Sequence, residues 1–475
     1  MTILNFCDKI LTLKIYLKYE KTGGRIMGVF FGTDGVRGIA NKDLTPERAF
    51  ELGQAGAIVL AQNEHHTPRI LIGKDTRISS DMLEAALASG ATSVGADVIL
   101  VGHCPTPCIA YLTRTMNVDA GVMISASHNP MEYNGIKFFN KEGYKLSDQL
   151  EEQIEDIILT KQTPIERAIG ADVGRIHNNE ILTRNYLNFL ATSVEVSLSS
   201  LKIVLDCANG ASYKLAHKLF ASLGANVIAI NDTPNGININ ENCGSTHLEG
   251  LVEAVMEYGA DLGLAFDGDA DRCLAVDENG KLVDGDKLMA ICALQLKKEN
   301  ALKNNTVVST VMSNIGLGIA MKENNIELVQ TKVGDRYVLE EMIASNYCIG
   351  GEQSGHIIFL DINTTGDGML TGLKVAETLA KTGKKLSKMA EVMEVYPQVL
   401  LNAKIDASKK PDYRDNSEIM KEISKVETEV GDTGRVLIRP SGTEPLIRVM
   451  LEGKDVDFIS SKAKYLCDFI ETKLG

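Results

Sequence analysis

Residues 202–231 read KIVLDCANGASYKLAHKLFASLGANVIAIN. An apolar strand (KIVLD) runs into a polar turn with a glycine, a helical stretch (SYKLAHKLFASL) follows, and a second apolar strand (GANVIAIN) closes the unit. The same order recurs on both sides. From Arg69 the chain reads RILIGKDTR, a helical stretch and GADVILVG; from Thr306 it reads TVVSTVMSN, GLGIAMKEN and NIELVQTKVG. Strands alternating with helices in this way form right-handed crossovers in a parallel or mixed sheet.

Beyond Pro397 the pattern changes. QVLLNAKI and GRVLIRPSGTEPLIRVMLEG are strand-like stretches around a turn. The chain then closes on a helix whose Val456, Ile459, Ala463, Leu466 and Ile470 recur three and four apart, marking one apolar face. The expected fold is α/β: three similar mixed-sheet α/β domains over 28–175, 176–272 and 273–388, then a C-terminal α+β domain over 389–475.

The whole chain sets limits on function. Its 475 residues are too many for one core. The net charge of −14 argues against a nucleic-acid partner, which needs a basic surface, but not against a phosphorylated small molecule held in a local basic pocket. Nine cysteines scattered from Cys7 to Cys467 read as reduced thiols of a cytoplasmic protein. No apolar run approaches the roughly 20 residues of a membrane span. Residues 1–27 are expected to be an extension. Charges interrupt their apolar stretch, no small-residue cleavage site follows, and a signal peptide is not expected. Native translation is expected to begin at Met27, because Gly23-Gly24 can be encoded by a ribosome-binding sequence a few codons upstream.

Four segments combine glycines with reactive or charged side chains. In ISASHNPMEYNGIKFF (124–139), Asn129-Pro130 stops regular structure after a strand and presents Ser127 and His128 in a loop. Taken alone, this is either a polar turn or a nucleophile beside a base. In LAFDGDADRCLAVDENG (264–280), Asp267, Asp269 and Asp271 alternate, so their carboxylates can converge on one divalent cation. An EF-hand is excluded, because Arg272 stands where its glycine is required and strands flank the loop. In IGGEQSGHIIF (349–359), glycines bracket Glu352, Ser354 and His356, a set suited to a polyhydroxylated ligand. In RPSGTEPLIRVM (439–450), Arg439, Ser441, Gly442, Thr443 and Arg448 supply donors for an anion, with phosphate the natural guest.

The ordered set ASHNP, DGDADR, GEQSGH and RPSGTEP, with FGTDGVRG at 31–38, resembles the α-D-phosphohexomutase superfamily over nearly all of residues 28–475. Within it, FGTDGVRG, Gln353 and RPSGTEPLIRVM look like the branch that acts on glucosamine phosphates. The resemblance implies four domains around a central active-site cleft. It also implies interconversion of glucosamine 6-phosphate and glucosamine 1-phosphate through a glucosamine 1,6-bisphosphate. Ser127 would be the phosphoserine, and Mg²⁺ would sit on Ser127, Asp267, Asp269 and Asp271. Lys137, His356, Arg37 and His128 would serve catalysis. Arg272, Glu352, Ser354 and the 439–448 donors would bind the phosphosugar. A lysine base at 137 would need its pKa lowered by burial or neighbouring cations. The expected enzyme is a cytoplasmic monomer or homodimer acting on a small phosphosugar, without nucleic-acid or membrane partners. The alternatives are a phosphomannomutase/phosphoglucomutase of the same mechanism, or a metal-dependent sugar phosphatase.

Overall fold

The computed structural model describes residues 28–475 apart from 33, 62–65, 161–164, 407–412 and 442–444. The extension, the expected start at Met27, Gly442 and Thr443 therefore lie outside the described residues. The chain divides into two compact units. One comprises the residues up to Val311 together with Val329–Ala390; the other comprises Met312–Leu328 and Glu391–Gly475.

Three sheets have their strands in or at the edge of the first unit. The first contains β1 (Phe31–Gly32), β2 (Gly35–Ile39), β3 (Arg69–Lys74), β4 (Asp97–His103), β5 (Ala120–Ile124), β6 (Tyr133–Asn140) and β7 (Ile176–Asn178). Their order is β1-β2-β6-β5-β3-β4-β7. β3, β4, β5 and β7 run parallel, whereas β5–β6, β6–β2 and β2–β1 are antiparallel. Every residue of β5 is buried, as a central strand covered on both faces requires.

The second sheet holds β8 (Lys202–Asp206), β9 (Asn226–Ile230), β10 (Leu262–Phe266), β11 (Cys273–Asp277) and β12 (Leu282–Val283), in the order β12-β11-β10-β8-β9. The third holds β13 (Thr306–Thr310), β14 (Glu327–Thr331), β15 (Ile349–Gly351) and β16 (Ile357–Phe359), in the order β14-β13-β15-β16. The three strand–helix–strand units read from the sequence thus fall one to a sheet, at β3/β4, β8/β9 and β13/β14.

Two expected boundaries differ from these sheets. β7 begins at Ile176 yet pairs with β4, so the first sheet runs past residue 175. β11 turns back antiparallel on β10, and β12 pairs with β11, so the second sheet runs past residue 272 to Val283. In both places an edge strand is added after the repeat has closed.

The second unit carries β17 (Gln398–Lys404), β18 (Arg435–Pro440) and β19 (Leu446–Glu452) as an antiparallel sheet in the order β17-β19-β18. Helices Ser417–Val430 and Val456–Leu474 share its core, in which Ile419, Ile447, Val449, Ile459, Ala463, Leu466 and Ile470 are buried. Of the expected helical stripe only Val456 is exposed, because it follows the N-cap Asp455 directly.

Candidate active site

Three turns of the first unit supply the reactive side chains. Each leaves the end of a buried strand, which is where open α/β sheets place ligands. The loop after β5 carries Ser127 and His128, the β10–β11 turn carries the three aspartates and Arg272, and the β15–β16 turn carries Glu352, Ser354 and His356.

Ser127 is only 1% exposed and adopts a left-handed backbone, with φ of 53°. Its hydroxyl donates to Asp267 Oδ2 at 2.6 Å, and its Oγ lies 3.3 Å from His128 Nδ1. A Cβ on Gly268 would sit 2.5 Å from the Ser127 carbonyl oxygen, so the two turns approach this closely only because residue 268 is glycine.

Asp267, Asp269 and Asp271 are buried, and each offers a carboxylate oxygen within 4.8 Å of the others. Burial, with Asp271 and Asp269 alongside, pushes the Asp267 carboxyl up to about 8. Burial acts in the same direction on Asp271, but Lys137, His356 and Arg272 hold it well below the usual carboxylate range. Among the described residues, Asp269 Oδ1 and Asp271 Oδ1 are buried without a hydrogen-bond partner. Clustered carboxylates with open lone pairs and an all-oxygen donor set fit a hard divalent cation, and these three residues could hold one.

Lys137, on β6, projects into this cluster and is 1% exposed. Its Nζ lies 2.7 Å from Asp269, 3.0 Å from Asp34 and 3.8 Å from Asp271. Burial works against its charge, but those carboxylates hold the ammonium above the ordinary lysine value. The lowered pKa that a lysine base would need is therefore absent. The cause is that Asp269, Asp34 and Asp271 together outweigh burial and the nearby Arg37.

His128 differs. Burial, aided by Arg272 and Arg37, pushes its imidazole down to about 4, so it is neutral at physiological pH. His356 Nε2 accepts from the Gly366 amide at 3.1 Å, and a Cβ on Gly366 would meet the ring at 2.5 Å. That bond selects the Nδ1–H tautomer, whose nitrogen is 3.5 Å from Asp271 Oδ2. Burial opposes a second proton, whereas Asp271 and Asp335 favour one strongly enough to raise His356 above the ordinary histidine value. At Nε2 the Gly366 N–H opposes that proton, whereas Asp335 Oδ2, 3.4 Å away, favours it.

Arg37, Arg272, His128, Glu352 and His356 line a cavity of 380 Å³ together with Asp34, Asp271 and Asp335. Arg37 pairs with Asp34, yet its Nε and that of Arg272 have no acceptor among the described residues. Glu352 Oε1 accepts from the Gly334 amide at 3.2 Å, and the Ser354 hydroxyl oxygen is buried without a partner among the described residues. Gln353 donates instead to Asp284, the N-cap of helix Gly285–Lys298, at 3.2 Å.

Asp34, Lys145 and Asp335, which no motif singles out for a role, also lie here. Lys145 Nζ bridges Asp34 and Asp335 at 2.5 Å each. Asp34 lies within the quoted FGTDGVRG, so its position was marked. Lys145 and Asp335 carry no local signal.

Of the residues expected to bind an anion, Arg439, Ser441 and Arg448 are described and lie in the second unit. Arg439 and Arg448 are direct partners across the β18–β19 ladder, and the Ser441 amide closes the turn on Leu446 at 2.8 Å. Burial and the neighbouring Arg448 lower the Arg439 pKa. Like charges directly opposite destabilise a ladder unless an anion lies between them.

Family models described as phosphoglucomutase/phosphomannomutase α/β/α domains I, II and III and C-terminal domain match residues 28–164, 184–280, 284–396 and 400–464. A phosphoglucosamine mutase of Acetivibrio thermocellus is 57% identical over 449 residues, covering 94% of this chain and 100% of that protein. Another, from Caldanaerobacter subterraneus, is 60% identical over 450 residues with the same coverage. Among solved structures, a phosphoglucomutase/phosphomannomutase family protein of Burkholderia thailandensis superposes with a TM-score of 0.77 at 22% identity, covering 94% of this chain and 97% of that one. An Aspergillus fumigatus N-acetylphosphoglucosamine mutase, solved in complex with GlcNAc-6P and magnesium, gives 0.66 at 16% identity, covering 97% and 98%. With four matched domains in order and relatives at 57–60% identity over 94% of its length, this chain belongs to the phosphoglucomutase/phosphomannomutase family.

Proposed function

We propose that this chain is a phosphoglucosamine mutase, an isomerase that interconverts glucosamine 6-phosphate and glucosamine 1-phosphate. Ser127 carries the phosphoryl group, and a glucosamine 1,6-bisphosphate forms and is consumed within each cycle. The single observation that carries this reading is the Ser127 hydroxyl, buried and 2.6 Å from Asp267 at the edge of a three-carboxylate cluster. A hydrolytic serine needs a basic partner, whereas His128 is held neutral and poorly basic.

The chemistry balances without an external reactant. The Oγ–P bond of phosphorylated Ser127 breaks as a sugar hydroxyl forms its own O–P bond and releases its proton. After the bisphosphate turns over, the opposite phosphoryl group returns to Oγ and the other hydroxyl regains a proton. Such transfer depends on alignment and charge neutralisation. Asp267, Asp269, Asp271 and Ser127 would hold Mg²⁺, which when bound neutralises charge on the transferring group.

Lys137 serves as a charged electrostatic partner, consistent with its raised pKa. Arg37 and Arg272 offer open guanidinium edges to phosphate oxygens. His128 orders Oγ, and His356 presents its Nδ1–H at the cavity wall. Glu352 and Ser354 read sugar hydroxyls in either orientation. Arg439, Ser441, Gly442, Thr443 and Arg448 hold the phosphate that is not reacting. Among the described residues every cysteine is free and buried, which supports a reducing, cytoplasmic setting.

Turnover of glucosamine 1-phosphate against glucose 1-phosphate and mannose 1-phosphate tests the assignment. Preference for glucosamine 1-phosphate is expected. Faster turnover of either other sugar moves the chain to the phosphomannomutase/phosphoglucomutase branch, and release of inorganic phosphate without isomer formation makes it a phosphatase.

A further inference from the structure

Arg77 and Asp75 are the most deeply buried ion pair near the site, with neither side chain exposed and Nε 2.8 Å from Oδ2. Burying such a pair is costly, and replacing it with apolar side chains is often neutral or favourable. Stability alone is therefore a poor reason for its presence. What the guanidinium does with its other donors is specific. NH2 donates to the carbonyl of Ser127 at 2.9 Å and to that of Asn129 at 2.8 Å, and NH1 donates to the carbonyl of Pro130. A planar, fixed fork of donors thus holds three carbonyls of one four-residue turn.

Asp75 orients the fork from behind. Its carboxylate accepts from the Arg77 amide, the Ser80 hydroxyl at 3.0 Å and the Ser125 hydroxyl at 2.7 Å. Ser125 Oγ in turn accepts from the Ser127 amide at 3.0 Å. A second donor reaches the same turn from beyond the second sheet's first strand pair: Asn240 Nδ2 lies 2.9 Å from the Ser127 carbonyl and 3.1 Å from that of Asn129. The Ser127 amide and carbonyl are both fixed, and its left-handed φ of 53° is one that a serine does not choose unaided.

We infer that Arg77, set by Asp75 and seconded by Asn240, is a positioning residue that locks the Ser127 turn in its left-handed form so that Oγ faces Asp267. The inference rests on the phosphoserine role proposed above. Arg77 touches no reacting atom, and its effect runs through the backbone of Ser127.

The test uses the full chain with saturating Mg²⁺ and glucose 1,6-bisphosphate. Arg77→Lys keeps the charge but loses the fork, and Asn240→Ala removes the second donor from a less buried place. For folded Arg77→Lys we expect kcat for the mutase reaction to fall by roughly 10²-fold with KM within about threefold, as misplacement of a reacting group does. The ³¹P resonance of phosphorylated Ser127 should shift or broaden. Asn240→Ala should lower kcat by about tenfold in the same pattern. Should Arg77→Lys fail to fold, Asn240→Ala alone decides. Native kcat and an unchanged ³¹P resonance in the folded variants would overturn the inference. Ser127→Ala, assayed alongside, separates the two readings: if it is inactive while the Arg77 and Asn240 variants are native-like, only the positioning role fails. If it turns over normally, the phosphoserine reading fails.

Discussion

Lys137 holds its ammonium 2.7 Å from the Asp269 carboxylate in a site that closes both away from solvent. Each charge is tolerated because of the other, and breaking a buried pair by removing one partner costs about 3–5 kcal/mol. Lys137→Met should therefore melt at a lower temperature than the native chain in EDTA, and added Mg²⁺ should restore part of the loss by taking over the carboxylates. Its kcat should fall roughly 10²–10⁴-fold with little change in KM. Differential scanning calorimetry with and without Mg²⁺, beside steady-state kinetics, checks both.

Asp269→Asn preserves shape but removes a charge from the trio. Mg²⁺ affinity by titration calorimetry should fall at least about tenfold, and the remaining turnover should no longer respond to Mg²⁺ in the native concentration range. A native binding isotherm would remove Asp269 from the metal site.

His128 titrates near 4 in the folded chain, below its ordinary value of 6.5. The unfolded state thus binds this proton more readily, so the native chain loses stability as pH falls from 6.5 toward 4 and gains nothing from this group above 6.5. His128→Asn should lose less of its denaturation midpoint across that window. For the same reason, no limb between pH 6 and 8 in the native pH–kcat profile should disappear in this variant.

Arg439 and Arg448 stand directly opposite across their ladder, and the proposed phosphate would relieve their repulsion. Arg439→Gln should raise KM for the phosphosugar by about tenfold or more, since it removes a charge-assisted bond of roughly 1.5–3 kcal/mol. Thermal stability without ligand should stay level or rise by a few tenths of a kcal/mol. A fall in stability at native KM would make these arginines structural.

The parts of the site written in short, local patterns were legible in the sequence. Asp267, Asp269 and Asp271 converge because alternate residues in one tight turn share a side, and Ser127 was marked by Asn129-Pro130 ending the strand before it. The three repeats were legible because apolar strands and glycine turns recur in one order. Lys145 was not, since it meets Asp34 and Asp335 from 111 and 190 residues away. Arg77 lay inside the quoted RILIGKDTR and read as a turn residue. Only the fold shows that three carbonyls of a distant loop surround it. The sheets run on where β7, and beyond β11 the short β12, attach as edge strands, and edge pairing leaves no mark in local periodicity. The protonation of Lys137 depends on three carboxylates brought together from two loops, so spacing alone could not give its sign.

Peptide-mapped intact mass of the chain, taken before and after mixing with glucosamine 1-phosphate and trace bisphosphate, tests the central claim most directly. One phosphoryl group is expected, on Ser127, exchanging with labelled sugar phosphate at the rate of turnover and lost with all mutase activity in Ser127→Ala. Turnover by Ser127→Ala, or a label on any other residue exchanging at that rate, would contradict it.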